Sequence, residues 1–127
     1  MFEESFKENH GYARYFDTMM FLRGMMNRIE MLSNFLNQNP NDAFARYGLA
    51  LEYANSGQTE TALAEFRKLL QVNPDYTAGY QMSAQTLMRA GRTEEARKML
   101  TEGIACAQRT RNRHAQSEME SMMDELR

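Results

Sequence analysis

Apolar side chains recur along the chain at steps of three and four residues, which places them on one face of a helix. Met25, Ile29, Leu32 and Leu36 form one such stripe. Comparable stripes, each bounded by glycine, asparagine or proline, predict helices at about 11–22, 25–37, 42–55, 59–72, 76–89, 93–107 and 114–126. We therefore expect an all-α protein.

The polar segments between these helices repeat at a fixed interval. The sequence Gly-Gln-Thr-Glu at 57–60 returns 34 residues later as Gly-Arg-Thr-Glu at 91–94, and an Asn-Pro pair at 39–40 returns at 73–74. An interval kept by several markers indicates a structural unit that is repeated. Each unit is predicted to be a helix-turn-helix hairpin, with a glycine ending its first helix.

These units resemble the tetratricopeptide repeat (TPR) family, whose repeat has 34 residues, small residues where its two helices cross and a proline near its end. In residues 43–76 the matching residues are Leu49, Ala50, Tyr53, Gly57, Ala62, Phe66, Leu69 and Pro74. In residues 77–110 they are Tyr80, Ala84, Leu87, Gly91, Ala96 and Leu100. The second copy departs from the pattern at Ser83, at Gly103 where Leu69 stood, and at Gln108 where proline is expected.

The resemblance implies a right-handed superhelix of stacked hairpins. Two full repeats are expected at 43–76 and 77–110, after an N-terminal helical segment with a degenerate repeat at 1–42 and before a C-terminal capping helix at 111–127. A cap is needed because the last element of a stacked array has no neighbour to cover its outer face.

The resemblance also implies a function, that of a non-catalytic scaffold or adaptor that binds a peptide or partner protein in an apolar concave groove. The groove positions are filled by Phe44, Tyr47, Leu51, Asn55, Gln81, Met82, Gln85, Met88, Arg89 and Met119. The family's basic clamp for peptide carboxylates is missing, because its positions hold Tyr47, Leu51 and Met82. Peptides with a free C-terminal carboxylate are therefore poor candidates for the ligand.

Residues 1–24 fit the repeat less well. Extending the 34-residue register backward puts Phe16 and Arg28 where the full repeats have alanine at the helix crossing, and both are too large for close packing. The first hairpin must therefore splay apart or be one continuous helix through Gly24, which costs only about 1 kcal/mol in a helix interior.

The same N-terminal segment carries more apolar surface than one short helix can bury. Either it folds back into its own groove, or it packs on the same segment of a second chain, and we expect the homodimer. An alternative function follows, a homo-oligomeric assembly protein. Its self-association residues would be Tyr12, Tyr15, Phe16, Met19, Phe21 and Leu22.

Composition narrows the function classes. A chain of 127 residues with net charge −2 suits one domain and has no overall attraction to nucleic acid or to an anionic membrane. The basic cluster around Arg109, Arg111 and Arg113 is interpreted as a solvated face. The longest apolar run, 19–22, is far too short to span a membrane, and the single Cys106 needs no oxidising compartment, so a cytoplasmic protein is expected.

No residue pattern predicts catalysis. His10 and His114 are far apart in the sequence, and no metal-ligand spacing or phosphate-binding glycine loop is present. The acidic residues fall at helix starts and on solvent faces, without the burial that tunes a catalytic carboxylate. We expect no enzyme activity, cofactor or bound metal.

Overall fold

The computed structural model describes the backbone of residues 10–127 and the side chains of residues 19, 20, 23, 24 and 27–127. Over this range the chain forms helices joined by short turns, without a strand. The helices are α1 (His10–Gln38), α2 (Ala43–Asn55), α3 (Thr59–Val72), α4 (Thr77–Arg89), α5 (Thr93–Arg109) and α6 (Arg113–Glu125).

Each helix packs mainly on its neighbours in sequence. The pairs α2/α3 and α4/α5 form the two hairpins, α1 covers one side of α2, and α6 covers one side of α5. Small residues lie at both crossings, since Ala50 and Ala62 in the first hairpin and Ala84 and Ala96 in the second are fully buried. The predicted all-α stack of hairpins is confirmed.

Three turns share one geometry, in which a residue with positive φ follows the end of a helix. That residue is Gly57 (φ 81°) after α2, Gly91 (φ 74°) after α4 and Arg111 (φ 57°) after α5. In the first of these turns the next amide, that of Gln58, donates to the carbonyl of Tyr53 at 2.9 Å, which closes the helix end. Arg111 is the one side chain with a Cβ in this left-handed conformation among the described residues.

Replacing Arg111 with glycine is expected to raise the free energy of unfolding by about 0.5–1 kcal/mol. A Cβ disfavours the left-handed conformation by roughly 1–2 kcal/mol, and the greater freedom of glycine in the unfolded chain offsets part of that gain. Urea unfolding followed by circular dichroism measures the change. Arg113→Gly, two residues away at the first position of α6, is the control and should instead lower stability, by at most about 1 kcal/mol.

Among the helices α2 to α6, two begin with a side-chain cap. The carboxylate of Asp42 accepts a hydrogen bond from the amide of Ala45 at 2.8 Å and caps α2, and Asn112 caps α6 in the same way through Ala115 at 3.1 Å. Gln58 precedes α3 and makes no side-chain cap hydrogen bond, while Thr59 is the first residue of that helix.

The 34-residue spacing between equivalent helices holds up to the start of α5 and is lost at α6. Helix α5 has 17 residues, whereas its equivalent α3 has 14, and it runs directly into the turn at Arg111. Thr77 and Arg113, the first residues of α4 and α6, are therefore 36 positions apart in the sequence. Two more residues than the repeat interval therefore separate the two helix starts. Because each residue advances a helix by about 100°, the side of α6 on which a given residue lies differs by about 200° from the side that the 34-residue register predicts.

Residues 10–38 form one helix of 29 residues. Of the two arrangements expected for the N-terminal segment, the structure has the continuous helix and not the splayed hairpin. Gly24 lies inside α1, and a Cβ built there would have no atom of another described element within 4 Å. The segments predicted at 11–22 and 25–37 are thus halves of the same element.

Candidate functional site

A groove of about 670 Å³ lies between α4 and α6. Alternate helices of a hairpin stack run parallel and face the same side, so the groove follows two helices that are not neighbours in sequence. Its walls are Gln81, Gln85, Met88 and Arg89 from α4 and His114, Ser117, Glu118, Ser121, Met122 and Glu125 from α6.

Helix periodicity explains which side chains reach the groove. Gln81 and Gln85 are four residues apart on α4, and Ser117 and Ser121 repeat that spacing on α6. The two pairs lie 36 positions apart, the same interval as the starts of their helices. Side-chain amides therefore lie on one wall of the groove and side-chain hydroxyls at the matching positions of the other.

One carboxylate joins the two walls. Glu118 accepts a hydrogen bond from the side-chain amide of Gln81 at 2.7 Å, and its other oxygen lies 2.9 Å from Nε2 of His114. Arg89 and Glu125 also line the groove, and neither forms an ion pair with another described residue. The groove thus combines neutral hydrogen-bonding groups with unpaired charge of both signs.

An apolar region lies on α2. The Phe44 side chain is 79% exposed, and Tyr47 is half-buried against the cluster formed by Ala50, Ala62, Phe66 and Leu69. The Tyr47 ring centre is 6.5 Å from that of Phe66 and 5.4 Å from that of Tyr76. Burial, with a smaller effect of Tyr76, raises the pKa of Tyr47 above its ordinary value.

The predicted groove residues separate into three groups. Gln81, Gln85, Met88 and Arg89 line the groove. Tyr47, Leu51 and Met82 are half-buried and pack on the core between α2 and α3, while Phe44 and Asn55 are exposed on α2.

The tenth prediction, Met119, is wrong. This side chain is fully buried, and the 36-position interval gives it the place on α6 that the core residue Ser83 has on α4. The expected apolar character also fails for the groove between α4 and α6, where Met88 and Met122 are the only apolar residues among the described lining residues. Sequence reasoning missed all six residues from α6, although Gln108 in place of the expected proline was a sign that the register changes there.

The predicted self-association residues lie mostly outside the described side chains. Met19 is described and is 46% exposed. The side chains of Tyr12, Tyr15, Phe16, Phe21 and Leu22 are not described, although the backbone of all six residues belongs to α1.

Metal sites, membrane-spanning helices and the surroundings of Cys106 and Arg109 were the other features that the sequence singled out. Among the described residues no group of three or more His, Cys, Asp or Glu side chains could hold a metal ion. None of the described helices is both long and apolar enough to cross a bilayer. Cys106 is buried with its sulfur 3.4 Å from the Thr77 hydroxyl, and Arg109 pairs with Asp75 at 2.7 Å.

Comparison with known proteins gives consistent matches. Residues 53–117 match the family model for the tetratricopeptide repeat. A TPR repeat-containing protein of Pseudomonas aeruginosa is 28% identical over 98 residues, which cover 77% of this chain and 93% of that protein. The solution structure of a tetratricopeptide repeat domain protein from Salinibacter ruber is 30% identical, covers 68% of this chain and 88% of its own, and has a TM-score of 0.65.

A more distant match concerns the fold alone. The TPR2B domain of yeast Sti1, solved as a complex with pHsp70, is 16% identical to this chain. It covers 91% of this chain and 94% of its own, with a TM-score of 0.75.

Proposed function

Because the chain belongs to the tetratricopeptide repeat family, we propose that it is a non-catalytic interaction module that holds an extended segment of a partner protein between α4 and α6. The observation that carries this proposal is the groove of about 670 Å³, with amides on one wall and hydroxyls at the matching positions of the other. The Sti1 domain, which has this fold, was solved as a complex with a partner.

The chemistry of the walls favours an extended partner segment over a helical one. The amides of Gln81 and Gln85 and the hydroxyls of Ser117 and Ser121 can each donate and accept hydrogen bonds. An extended backbone offers both kinds of group along its length, whereas a helix uses its own internally. The flexible side chains of Met88 and Met122 can adapt to partner side chains of different shape.

The exposed apolar region on α2 extends this proposal. Phe44 stands out from the surface and Tyr47 is held in place by Phe66 and Tyr76. A partner segment that leaves the groove toward α2 would meet Met82 and then these rings. We therefore expect bound segments to carry an apolar residue on one side of a polar stretch.

Blocking the groove should weaken binding at least tenfold. Linear peptides selected from a random displayed library against the parent chain serve as probes, and their Kd is measured by fluorescence anisotropy. In Gln85→Trp the indole occupies the space of the peptide backbone, and losing two or three hydrogen bonds of about 1 kcal/mol each corresponds to a tenfold change or more.

The matched control is Gln71→Trp. Gln71 is exposed on α3 and does not line the groove, so the same substitution there should leave the Kd unchanged. Equal binding by the parent and Gln85→Trp would contradict the proposal, and so would failure to select any peptide. Circular dichroism confirms that both variants are folded.

A further inference from the structure

Two opposite charges line the end of the groove where α4 and α6 finish. Arg89 is the last residue of α4, and Glu125 is the last residue of α6. They are 36 positions apart, so they have matching places on the two helices, as Gln85 and Ser121 have one turn earlier. The groove thus has neutral hydrogen-bonding side chains along most of its length and a charged end formed by Arg89 and Glu125.

Neither charge is neutralised by the described part of the chain. The side chains of Arg89 and Glu125 are exposed and form no ion pair with each other or with any other described residue. Arg97 reaches the end of α6, but it is already bound to Glu94 and to the carbonyl of Leu126. Both charges of the charged end are therefore left to solvent in the unbound protein.

The position of Glu125 is electrostatically unfavourable within its own helix. The C-terminal end of a helix carries a partial negative charge, which attracts a cation and repels an anion. Arg89 suits this end of α4, whereas Glu125 is repelled by the same end of α6. A partner cation placed beside Glu125 would offset that repulsion.

An extended segment can reach both charges with neighbouring side chains. Successive side chains of an extended chain point to opposite sides, so adjacent residues of the segment meet opposite walls of the groove. Gln81 and Arg89 are roughly two turns apart on α4, a distance of about 12 Å that about four extended residues span. A short segment therefore passes the neutral side chains and arrives at the charged end.

We propose that the groove recognises an extended segment in which an acidic and a basic residue are adjacent. The acidic side chain pairs with Arg89 and its basic neighbour pairs with Glu125. This inference rests on the proposed binding of an extended segment between α4 and α6, and it adds the charges that the segment carries. Phe44 and Tyr47 lie near the start of α2, so the apolar residue expected in the segment lies at the other end from the two charges.

The two walls also disfavour partners of a single charge sign. A run of acidic residues would pair with Arg89 but be repelled by Glu118 and Glu125, which both line the groove. A run of basic residues would be repelled by Arg89. Nucleic acid is disfavoured in the same way as an acidic run, because its backbone charges are all negative.

Paired charge reversals test the proposal with the library-selected peptides and fluorescence anisotropy. The tightest peptides should carry adjacent acidic and basic residues. Arg89→Glu should weaken their binding by about fivefold or more, since one attractive pair becomes repulsive. Changing the acidic residue of the peptide to lysine should restore most of the affinity for this variant, because the pair re-forms with its charges exchanged. Glu125→Lys should respond in the same way when the basic residue of the peptide is changed to glutamate.

Each rescue should be specific to its own wall of the groove. The peptide with the introduced lysine should regain binding to Arg89→Glu and not to Glu125→Lys. Arg67→Glu and Glu102→Lys make equal charge changes at exposed positions outside the groove, and both should leave the Kd unchanged. The loss in Arg89→Glu should shrink between about 0.1 M and about 1 M salt, because the Debye length falls from about 10 Å to about 3 Å.

The outcomes separate this inference from the proposed function. Peptides that bind the parent, lose binding in Gln85→Trp and ignore both charge reversals would overturn the inference about the charges and leave the groove in place. Selected peptides without adjacent opposite charges would overturn it too, as would charge reversals that the matching variant does not rescue. Failure to select any peptide would overturn both proposals.

Discussion

Phe66→Ala is expected to lower the free energy of unfolding by about 3–5 kcal/mol, a large part of the stability of a small domain. Phe66 is fully buried at the centre of the first hairpin, among Ala50, Ala62 and Leu69. Its ring also packs edge-to-face with that of Tyr47, with the ring centres 6.5 Å apart. Removing it leaves a cavity that three helices border, because Met82 of α4 packs on the same cluster.

Phe44→Ala is the matched control, since it removes the same ring from the neighbouring helix. Phe44 is 79% exposed, so this change should shift stability by no more than about 0.5 kcal/mol. Urea unfolding followed by far-ultraviolet circular dichroism measures both variants. Similar losses in the two proteins would show that the packing of the first hairpin is assigned wrongly.

Gly103→Ala is expected to lower the free energy of unfolding by about 1–3 kcal/mol, although alanine is the better helix former. A Cβ at this position would lie 2.6 Å from the sulfur of Met119 and 2.7 Å from the Cβ of Tyr80. The Met119 side chain can rotate away, but the Tyr80 Cβ is fixed to the backbone of α4. Relief of the second contact therefore requires α4 and α5 to move apart.

Gly24→Ala is the same substitution in another helix, and we expect it to have the opposite effect on stability. Gly24 lies inside α1, and among the described elements no other one comes within 4 Å of an added Cβ, so helix propensity alone should raise stability by about 0.5–1 kcal/mol. Thermal unfolding of the two variants compares them directly. If Gly103→Ala is also stabilising, α4, α5 and α6 do not pack as closely as the structure has them.

The 34-residue repeat was sufficient to predict the fold. Gly57 and Gly91 marked turns that require positive φ, and the alanines at the crossings marked where helices approach closely. These signals are local, since each depends on a few residues whose conformation is restricted whatever the rest of the chain does. For the same reason α2 to α5 were predicted within about one residue at most ends.

The groove was predicted only on the α4 side, because its other wall depends on where α5 ends. A proline at position 108 would have stopped the helix, but Gln108 lets it continue to Arg109. The resulting two-residue shift rotates α6 by roughly half a turn, which buries Met119 and brings Ser117 and Ser121 to the surface. The absence of that proline thus moves the α6 wall of the groove to residues that the 34-residue register does not predict.

The N-terminal segment could not be predicted for a different reason. A hairpin and a continuous helix differ there by the cost of one glycine in a helix, about 1 kcal/mol, and by whatever covers the apolar face. Phe16 and Arg28 argue against a tight crossing within one chain, but they leave the covering partner open. Sequence patterns decide such cases only when one alternative is excluded by several kcal/mol.

The position of α6 at the end of the stack has a consequence for the affinity of the proposed binding. This helix forms one wall of the groove, yet it packs on the rest of the protein through a single face that includes Ala115 and Met119. The last element of such an array opens locally more easily than the central ones, which native-state hydrogen exchange detects as weaker amide protection. While α6 is detached the groove has one wall, so the measured affinity is reduced by the detached fraction. A bound segment would in turn slow amide exchange along α6 more than along α3.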